Sequence, residues 1–168
     1  SAEQLTEIVR QVQLIVRAVG YLDGPINIEA RITGDGEVYI IEVGPRNGGN
    51  YVPFIQERLS GFDFVGRVLS YSLGERRSVD GENTLSKPGA LYVVHADRTG
   101  TYDGVVLSNQ LQRKVFFYRN LVRKGQSVRP YVGSNSSLGV LLMEFRSVSE
   151  RDELMDEIER HVHVQIGS

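Results

Sequence analysis

The chain has 168 residues, of which 40% are hydrophobic and 24% are charged, a composition typical of a globular protein rather than a disordered one. Its net charge of -2 at pH 7 supplies no general attraction to nucleic acid or anionic lipid, so neither is an expected partner. There is no cysteine, which excludes disulfides and thiolate chemistry and favours a cytoplasmic location. No apolar run approaches the roughly 20 residues that a membrane-spanning helix needs.

The first quarter of the chain predicts a helix followed by a β-hairpin. Apolar residues at steps of three and four from Leu5 indicate an amphipathic helix that ends near Ala18. Two β-rich runs follow, at residues 25–32 and 37–43, and they are joined by Thr33-Gly34-Asp35-Gly36, whose Gly and Asp residues are types that hairpin turns use. After a Gly- and Asn-rich loop, we expect helices at residues 54–59 and 62–73, packed behind the hairpin.

The second half is predicted to be mainly β. The strand-like runs lie at residues 90–96, 104–107, 114–122, 127–132 and 138–145. One helix follows Ser149, and a last run at residues 162–166 is expected to pair on a sheet edge.

The fold class is therefore α+β, an antiparallel sheet packed by helices together with a mainly β unit. We expect residues 1–75 to form the first part, residues 76–88 a polar linker, and residues 89–168 a β-rich C-terminal cap with one helix. Because the chain opens on Ser1 without an initiator Met and runs at once into a helical pattern, we expect it to be a piece of a longer protein.

Two glutamates interrupt the apolar pattern of the hairpin. Side chains alternate along a strand, so Asn27 and Glu29 share one face. A four-residue turn pairs Ile32 with Glu37 and places Glu42 on that same face, and a shift of two residues would put Glu29 directly opposite Glu42. In either register the two carboxylates are neighbours, roughly 5 to 8 Å apart.

Two carboxylates this close repel each other unless a cation lies between them. One interpretation is a divalent metal ion, Mg²⁺ or Mn²⁺, because Mg²⁺ binds through one or two carboxylates plus the phosphates of a substrate. The other is an ion bridge in which Arg31 or Arg46 neutralises the pair. Spacing alone leaves both interpretations open.

The loop after Glu42 has the residue types of an anion site. Successive backbone N–H groups in a Gly-rich turn can bind an anion, and the arginine offers a planar fork that matches phosphate oxygens, so we predict that phosphate or substrate contacts Arg46, Asn47, Gly48 and Gly49. The alternative is a surface loop that uses Gly and Asn for positive φ. Two carboxylates followed by Arg and a Gly pair suit phosphoryl transfer, in which positioning and charge neutralisation do most of the catalysis.

The run "INIEARITGDGEVYIIEVGPRNGG" resembles the metal-binding end of the ATP-grasp ligase fold, and the resemblance covers residues 1–75. It implies that Glu29 and Glu42 are the two carboxylate metal ligands. It also implies that Arg46 is a catalytic residue that steadies the transferred phosphoryl group or an acyl phosphate. Many members have Asn as a further metal ligand where this chain has Gly44, although the purine-pathway carboxylate–amine ligases it resembles also lack that Asn.

The resemblance implies a function for the whole protein. The second half resembles the cap of the amino-acid and dipeptide ligase branch, so the chain is expected to be the C-terminal fragment of an ATP-dependent carboxylate–amine ligase that acts through an acyl phosphate. Its expected partners are ATP as co-substrate, Mg²⁺ or Mn²⁺, a small carboxylate and amine, and the upstream ATP-grasp subdomain of the same protein, without which we expect no activity. Open sheet edges suggest a homo-oligomer. The alternative, which Gly44 favours, is a non-catalytic binding or assembly module.

Overall fold

The computed structural model describes residues 1–75, 85–133 and 136–167. The helices are α1 (Ala2–Ala18), α2 (Val52–Ser60), α3 (Phe64–Ser72), α4 (Asn109–Gln112) and α5 (Val148–Asp156). The strands are β1 (Asn27–Ile32), β2 (Val38–Gly44), β3 (Gly89–His95), β4 (Gly100–Leu107), β5 (Val115–Asn120), β6 (Ser127–Val128), β7 (Ser137–Glu144) and β8 (Val162–Gly167). All strand pairs between these elements are antiparallel, so the predicted fold class is confirmed.

The chain forms two compact units. Unit 1 consists of Ser1–Gly49 and Asp63–Asp80, and unit 2 consists of Asn50–Phe62 and Gly81–Ser168. The helix expected at 54–59 is α2, which lies in unit 2 and contacts β3 and β7, so the expectation that it packs behind the hairpin is wrong. Residues 76–84 of the expected linker lie outside the described residues, and the functional division of the chain stays a prediction.

Unit 1 is built on the hairpin of β1 and β2, with α1 packed against β2. The helix begins with a capping box, in which Ser1 Oγ accepts from the backbone N–H of Gln4 at 3.3 Å. The amide of Gln11 then donates to the carbonyl of Val38 at 3.0 Å, which ties α1 to the first residue of β2. The helix therefore covers part of one face of β2, where Val38 is buried, while Ile28, Ala30 and Ile32 of β1 stay exposed.

Unit 2 contains two three-stranded sheets, ordered β3-β7-β5 and β6-β4-β8. The central strand β7 is buried along almost its whole length, because both of its faces are covered. Val140 and Leu142 pack against Ile55 and Leu59 of α2 on one face. On the other face, the buried residues of β7 join a larger cluster with α5 and the second sheet: Leu141, Met143, Leu154 and Val162 belong to it.

Three details of unit 2 differ from the sequence prediction. The strand expected at residues 127–132 is only the two-residue β6, Ser127–Val128. The cap of α5 is Ser147, whose hydroxyl accepts from the backbone N–H of Glu150 at 3.1 Å, and not Ser149. The one-turn helix α4 was not expected; Ser108 caps it by accepting from the backbone N–H of Leu111 at 3.2 Å.

The last strand, β8, pairs with β4 at a sheet edge as predicted. Within the part of the chain that the structure describes, no helix is both long and apolar enough to cross a membrane.

Candidate functional site

A β-bulge in the hairpin brings the two predicted carboxylates together. Next to the turn, Ile32 pairs with Val38 and not with Glu37, so the expected register is wrong by one residue. The ladder then skips Ile41: Ala30 pairs with Ile40, and Glu29 pairs directly with Glu42. The turn and the bulge each shift the register by one residue, and together they give the alternative in which the two glutamates are opposite each other.

The bulge also decides which face carries Glu42. A one-residue slip moves a side chain to the other face of a sheet. If Ile41 were paired and not skipped, the register next to the turn would continue and would place Glu42 opposite Ile28, on the other face from Glu29. With it, Glu42 shares the exposed face of Glu29 and Tyr39, while Val38, on the other face, is buried. Bulges are common next to functional sites because they redirect a side chain in this way.

Neither glutamate of the pair forms an ion pair with a cationic side chain of the described residues. Among the ion pairs formed within residues 1–75, 85–133 and 136–167, none involves Glu29, Glu42, Arg31 or Arg46. The arginine bridge left open by the sequence is therefore not formed in this structure. Two like charges directly opposite each other destabilise a β-ladder, so a cation between them would relieve a real cost. Their carboxylate oxygens are the donor type that Mg²⁺ prefers.

The arginine of the loop lies beside the second carboxylate. A Cβ atom at Gly44 would lie 3.6 Å from Nε of Arg46 and 3.7 Å from Oε1 of Glu42, so the two side chains flank this glycine. A tight turn holds them there, because the backbone N–H of Arg46 donates to the carbonyl of Gly44 at 2.8 Å. The guanidinium donates to the carbonyl of Asn47 at 3.0 Å through one of its nitrogens, which leaves its other N–H groups available to a ligand.

The loop itself presents unused backbone donors. Within the described residues, no hydrogen bond uses the backbone N–H of Asn47, Gly48 or Gly49. The glycine pair is not needed for left-handed backbone, since the positive φ angles fall on Asn50 and Tyr51, at 51° and 63°. The three N–H groups, the arginine and the carboxylate pair all lie within one hairpin and the loop that follows it, as the sequence predicted.

The bulge is the feature that sequence reasoning missed, although β2 carries a signal for it. Strict alternation from Val38 through Ile40 would put Glu42 on the covered face, where a carboxylate has no partner. A register slip between Ile40 and Glu42 was therefore implied. Beyond this pair, the described residues hold no group of three His, Asp or Glu placed to bind a metal ion, so the carboxylates can supply only part of a metal ion's ligands.

Comparisons with known proteins agree with this geometry at the level of the fold. No family model matches the sequence. The chain is 36% identical over 101 residues to the uncharacterized protein y4rH of Sinorhizobium fredii (strain NBRC 101917 / NGR234), a match that covers 60% of this chain and 20% of that protein. The chain thus spans about a fifth of this relative.

Solved structures match over almost the whole chain. The L-amino acid ligase of Bacillus licheniformis aligns with all of it at a TM-score of 0.87 and 26% identity, covering 42% of that enzyme. Phosphoribosylglycinamide synthetase of Anaerococcus prevotii aligns with 99% at a TM-score of 0.78 and 18% identity, covering 43% of it. The biotin carboxylase domain of Hydrogenobacter thermophilus 2-oxoglutarate carboxylase, solved with MgADP and bicarbonate, aligns with 99% at a TM-score of 0.67 and 18% identity, covering 37% of it.

The resemblance to ATP-grasp ligases is therefore confirmed: the chain has the fold of part of these enzymes. It spans about two fifths of the length of each, so the activity of a whole enzyme is a matter for proposal.

Proposed function

We propose that this chain is the C-terminal part of an ATP-dependent carboxylate–amine ligase, in which Glu29 and Glu42 hold Mg²⁺ and Arg46 contacts the transferred phosphoryl group. The observation that carries the proposal is the direct pairing of the two glutamates across the bulge, where neither forms an ion pair within the described residues. The ligase named in the L-amino acid ligase structure and the MgADP named in the carboxylase structure support the reaction class and the cofactor.

Each side chain has a separate role in the proposed reaction. Glu29 and Glu42 supply oxygen donors on one exposed face of the hairpin. Arg46 and the free N–H groups of Gly48 and Gly49 orient an anion beside that face, through a planar fork and backbone dipoles. A bound Mg²⁺ would offset the charge that accumulates on phosphate oxygens during transfer. In the complete ligase, the carboxylate substrate becomes an acyl phosphate, and an amine then displaces phosphate from it.

The partners follow from this assignment. The chain supplies carboxylates, an arginine and a Gly-rich loop, and we propose that the upstream ATP-grasp subdomain of the same protein supplies the rest of the nucleotide site. A small carboxylate and a small amine are the substrates. The cytoplasmic location and a homo-oligomeric state remain predictions from composition and from open strand edges.

The test is ATP turnover by the full-length protein that contains this chain, measured as phosphate release with candidate carboxylates and amines. We expect Glu42→Gln to lower turnover at least 100-fold, because the metal ligand set would lose one of its two protein charges. Glu37→Gln is the matched control, since Glu37 is an exposed glutamate of the same hairpin outside the carboxylate pair. Equal turnover by wild type and Glu42→Gln would show that the metal assignment is wrong.

The alternative function is a non-catalytic nucleotide-binding or assembly module, and Gly44 is the observation that favours it. An Asn at this position would supply a third oxygen donor beside Glu42, and its Cβ would meet its neighbours only at ordinary contact distances. If the full-length protein binds ATP and Mg²⁺ but turns over no substrate, and Gly44→Asn only tightens Mg²⁺ binding, the binding module is the better description. Turnover by the wild-type protein would exclude it.

A further inference from the structure

A basic cleft in unit 2 has no role in the function proposed above. Its volume is about 660 Å³, which falls in the range of small-molecule sites. The residues that line the basic cleft are Lys87, Arg113, Lys114, Glu144, Phe145 and Arg146. All of them belong to unit 2, so the cleft is complete within one compact unit.

The carboxylate inside the cleft is already neutralised. Glu144 accepts from Nε of Arg58 at 2.9 Å and forms a second ion pair with Lys87. The hydrogen bonds from Lys87 and Arg58 lower the pKa of Glu144 below its ordinary value, so it is ionised at neutral pH. One negative charge is thus shared between two cations.

Two arginines of the cleft form no ion pair within the described residues, although Arg146 lies close enough to Glu150 for its charge to add to the effect of Lys114 in lowering the pKa of that carboxyl. Lys114 forms an ion pair with Glu150, whose other oxygen accepts from the backbone N–H of Arg146 at 2.7 Å. Within the described residues, the guanidinium groups of Arg113 and Arg146 make no ion pair. Counting Arg58 and Glu150 with the lining residues, five cationic side chains face two carboxylates, an excess of three positive charges in a chain whose net charge is -2.

The cleft is held by hydrogen bonds between segments that are distant in sequence. The backbone N–H of Glu144 donates to the carbonyl of Lys114 at 3.0 Å, and that of Phe145 donates to the carbonyl of Pro88 at 2.9 Å. Phe145 is only 2% exposed, which fixes the floor of the cleft. The cationic side chains therefore come from three segments, at residue 87, residues 113–114 and residue 146, and do not belong to one charged loop; Arg113 and Arg146 are exposed at the cleft and accessible to a ligand.

We propose that the basic cleft binds a phosphorylated small molecule, with Arg113 and Arg146 as the phosphate-contacting residues. A guanidinium group offers two parallel N–H donors that match phosphate oxygens, and it remains charged at any pH of interest. Lys87 and Lys114 are already ion-paired with carboxylates. They therefore make the electrostatic potential of the cleft more positive, but they are not the primary ligands of the phosphate. The volume leaves room for an organic group beside the phosphate.

The test is a titration of the 168-residue chain with inorganic phosphate, in EDTA and at low ionic strength. Binding is followed by calorimetry and by the backbone amide NMR signals of Arg113 and Arg146. The test variant is Arg113→Gln/Arg146→Gln. The matched control is Arg119→Gln/Arg123→Gln, which removes two exposed arginines of the same unit that also make no ion pair within the described residues.

We expect the test variant to bind phosphate at least tenfold more weakly than wild type, and the control to bind within twofold of wild type. The amide signals of Arg113 and Arg146 should shift during the wild-type titration. Equal weakening in the two double variants would overturn the proposal, because it would show a response to net charge alone. So would wild-type binding that persists in the test variant but disappears in Arg46→Gln, since the phosphate would then lie in the loop of unit 1.

Discussion

Replacing one of the paired glutamates should change stability in opposite directions without and with Mg²⁺. Directly opposite side chains of an antiparallel pair have Cβ atoms about 5 Å apart, and Glu29 lies directly opposite Glu42. Both residues are exposed, so the dielectric constant of water applies. Unit charges about 5 Å apart in water repel by about 0.8 kcal/mol at low salt, which is the upper limit here because exposed carboxylates extend beyond their Cβ atoms and can turn apart, and the repulsion falls as ionic strength rises.

Without metal, Glu42→Gln should therefore stabilise the hairpin by up to about 0.8 kcal/mol, since it removes this repulsion. With Mg²⁺ at ten times its dissociation constant, the wild-type hairpin should gain about 1.4 kcal/mol through binding. The variant lacks one ligand and should gain much less. The order of stability should thus reverse when Mg²⁺ is added.

Hydrogen exchange of the β1 and β2 amides is the measurement, because it reports the stability of the hairpin itself, which belongs to a compact unit separate from unit 2. Glu37→Gln, which removes a charge outside the pair, should follow the wild type with and without Mg²⁺. The reasoning would be refuted if Mg²⁺ protected wild type and Glu42→Gln equally. It would also be refuted if the metal-free gain survived in 1 M salt, where a repulsion between exposed charges is screened.

The remaining predictions concern the loop, an ion pair and the core. Gly49→Ala should leave the fold unchanged, because nothing lies within 4 Å of the Cβ position at Gly49 and its φ is not positive. If this variant keeps its circular dichroism spectrum but loses ATP turnover, a ligand approaches the backbone at Gly49 closely. The ion pairs of Glu144 with Lys87 and Arg58 stabilise the folded state above the ordinary pKa of 4.5, and this stability is lost as pH falls through the lowered pKa that Glu144 has in the folded state. The free energy of unfolding of Glu144→Gln should therefore depend less on pH below about 4.5 than that of wild type. Leu142→Ala should destabilise unit 2 by about 3 kcal/mol in urea denaturation, because Leu142 is fully buried under α2; a change below about 1 kcal/mol would contradict this packing.

The elements of the hairpin could be predicted because their signals are local. Apolar periodicity located α1 and both strands, and Gly and Asp residues located the turn. The pairing of Ile32 was not predictable at the same level, since turn composition fixes a loop length only to within a residue. Packing of α1 on one face then selects the register that buries Val38.

Long-range packing was beyond the sequence pattern. The residues that became α2 carry a helical period, but nothing in that period indicates whether Ile55 and Leu59 meet the hairpin or β7. The packing of α2 depends on β7, whose continuous apolar run must be covered on both faces. The basic cleft was invisible for the same reason, because Lys87, Arg113 and Arg146 converge only after the strands have paired.

The carboxylate pair and the ion site predicted from it both depend on the β-bulge in the hairpin. If the hairpin kept the regular ladder that it begins with at Ile32, Glu42 would leave the face of Glu29 and no shared ion site would exist. The skipped Ile41 loses its place in the ladder and its side chain is 58% exposed, while the same shift moves Glu42 off the covered face and places half-buried Val43 there. The bulge also sets Glu42 directly opposite Glu29, and the cost of that like-charge pair is one that a bound cation would offset.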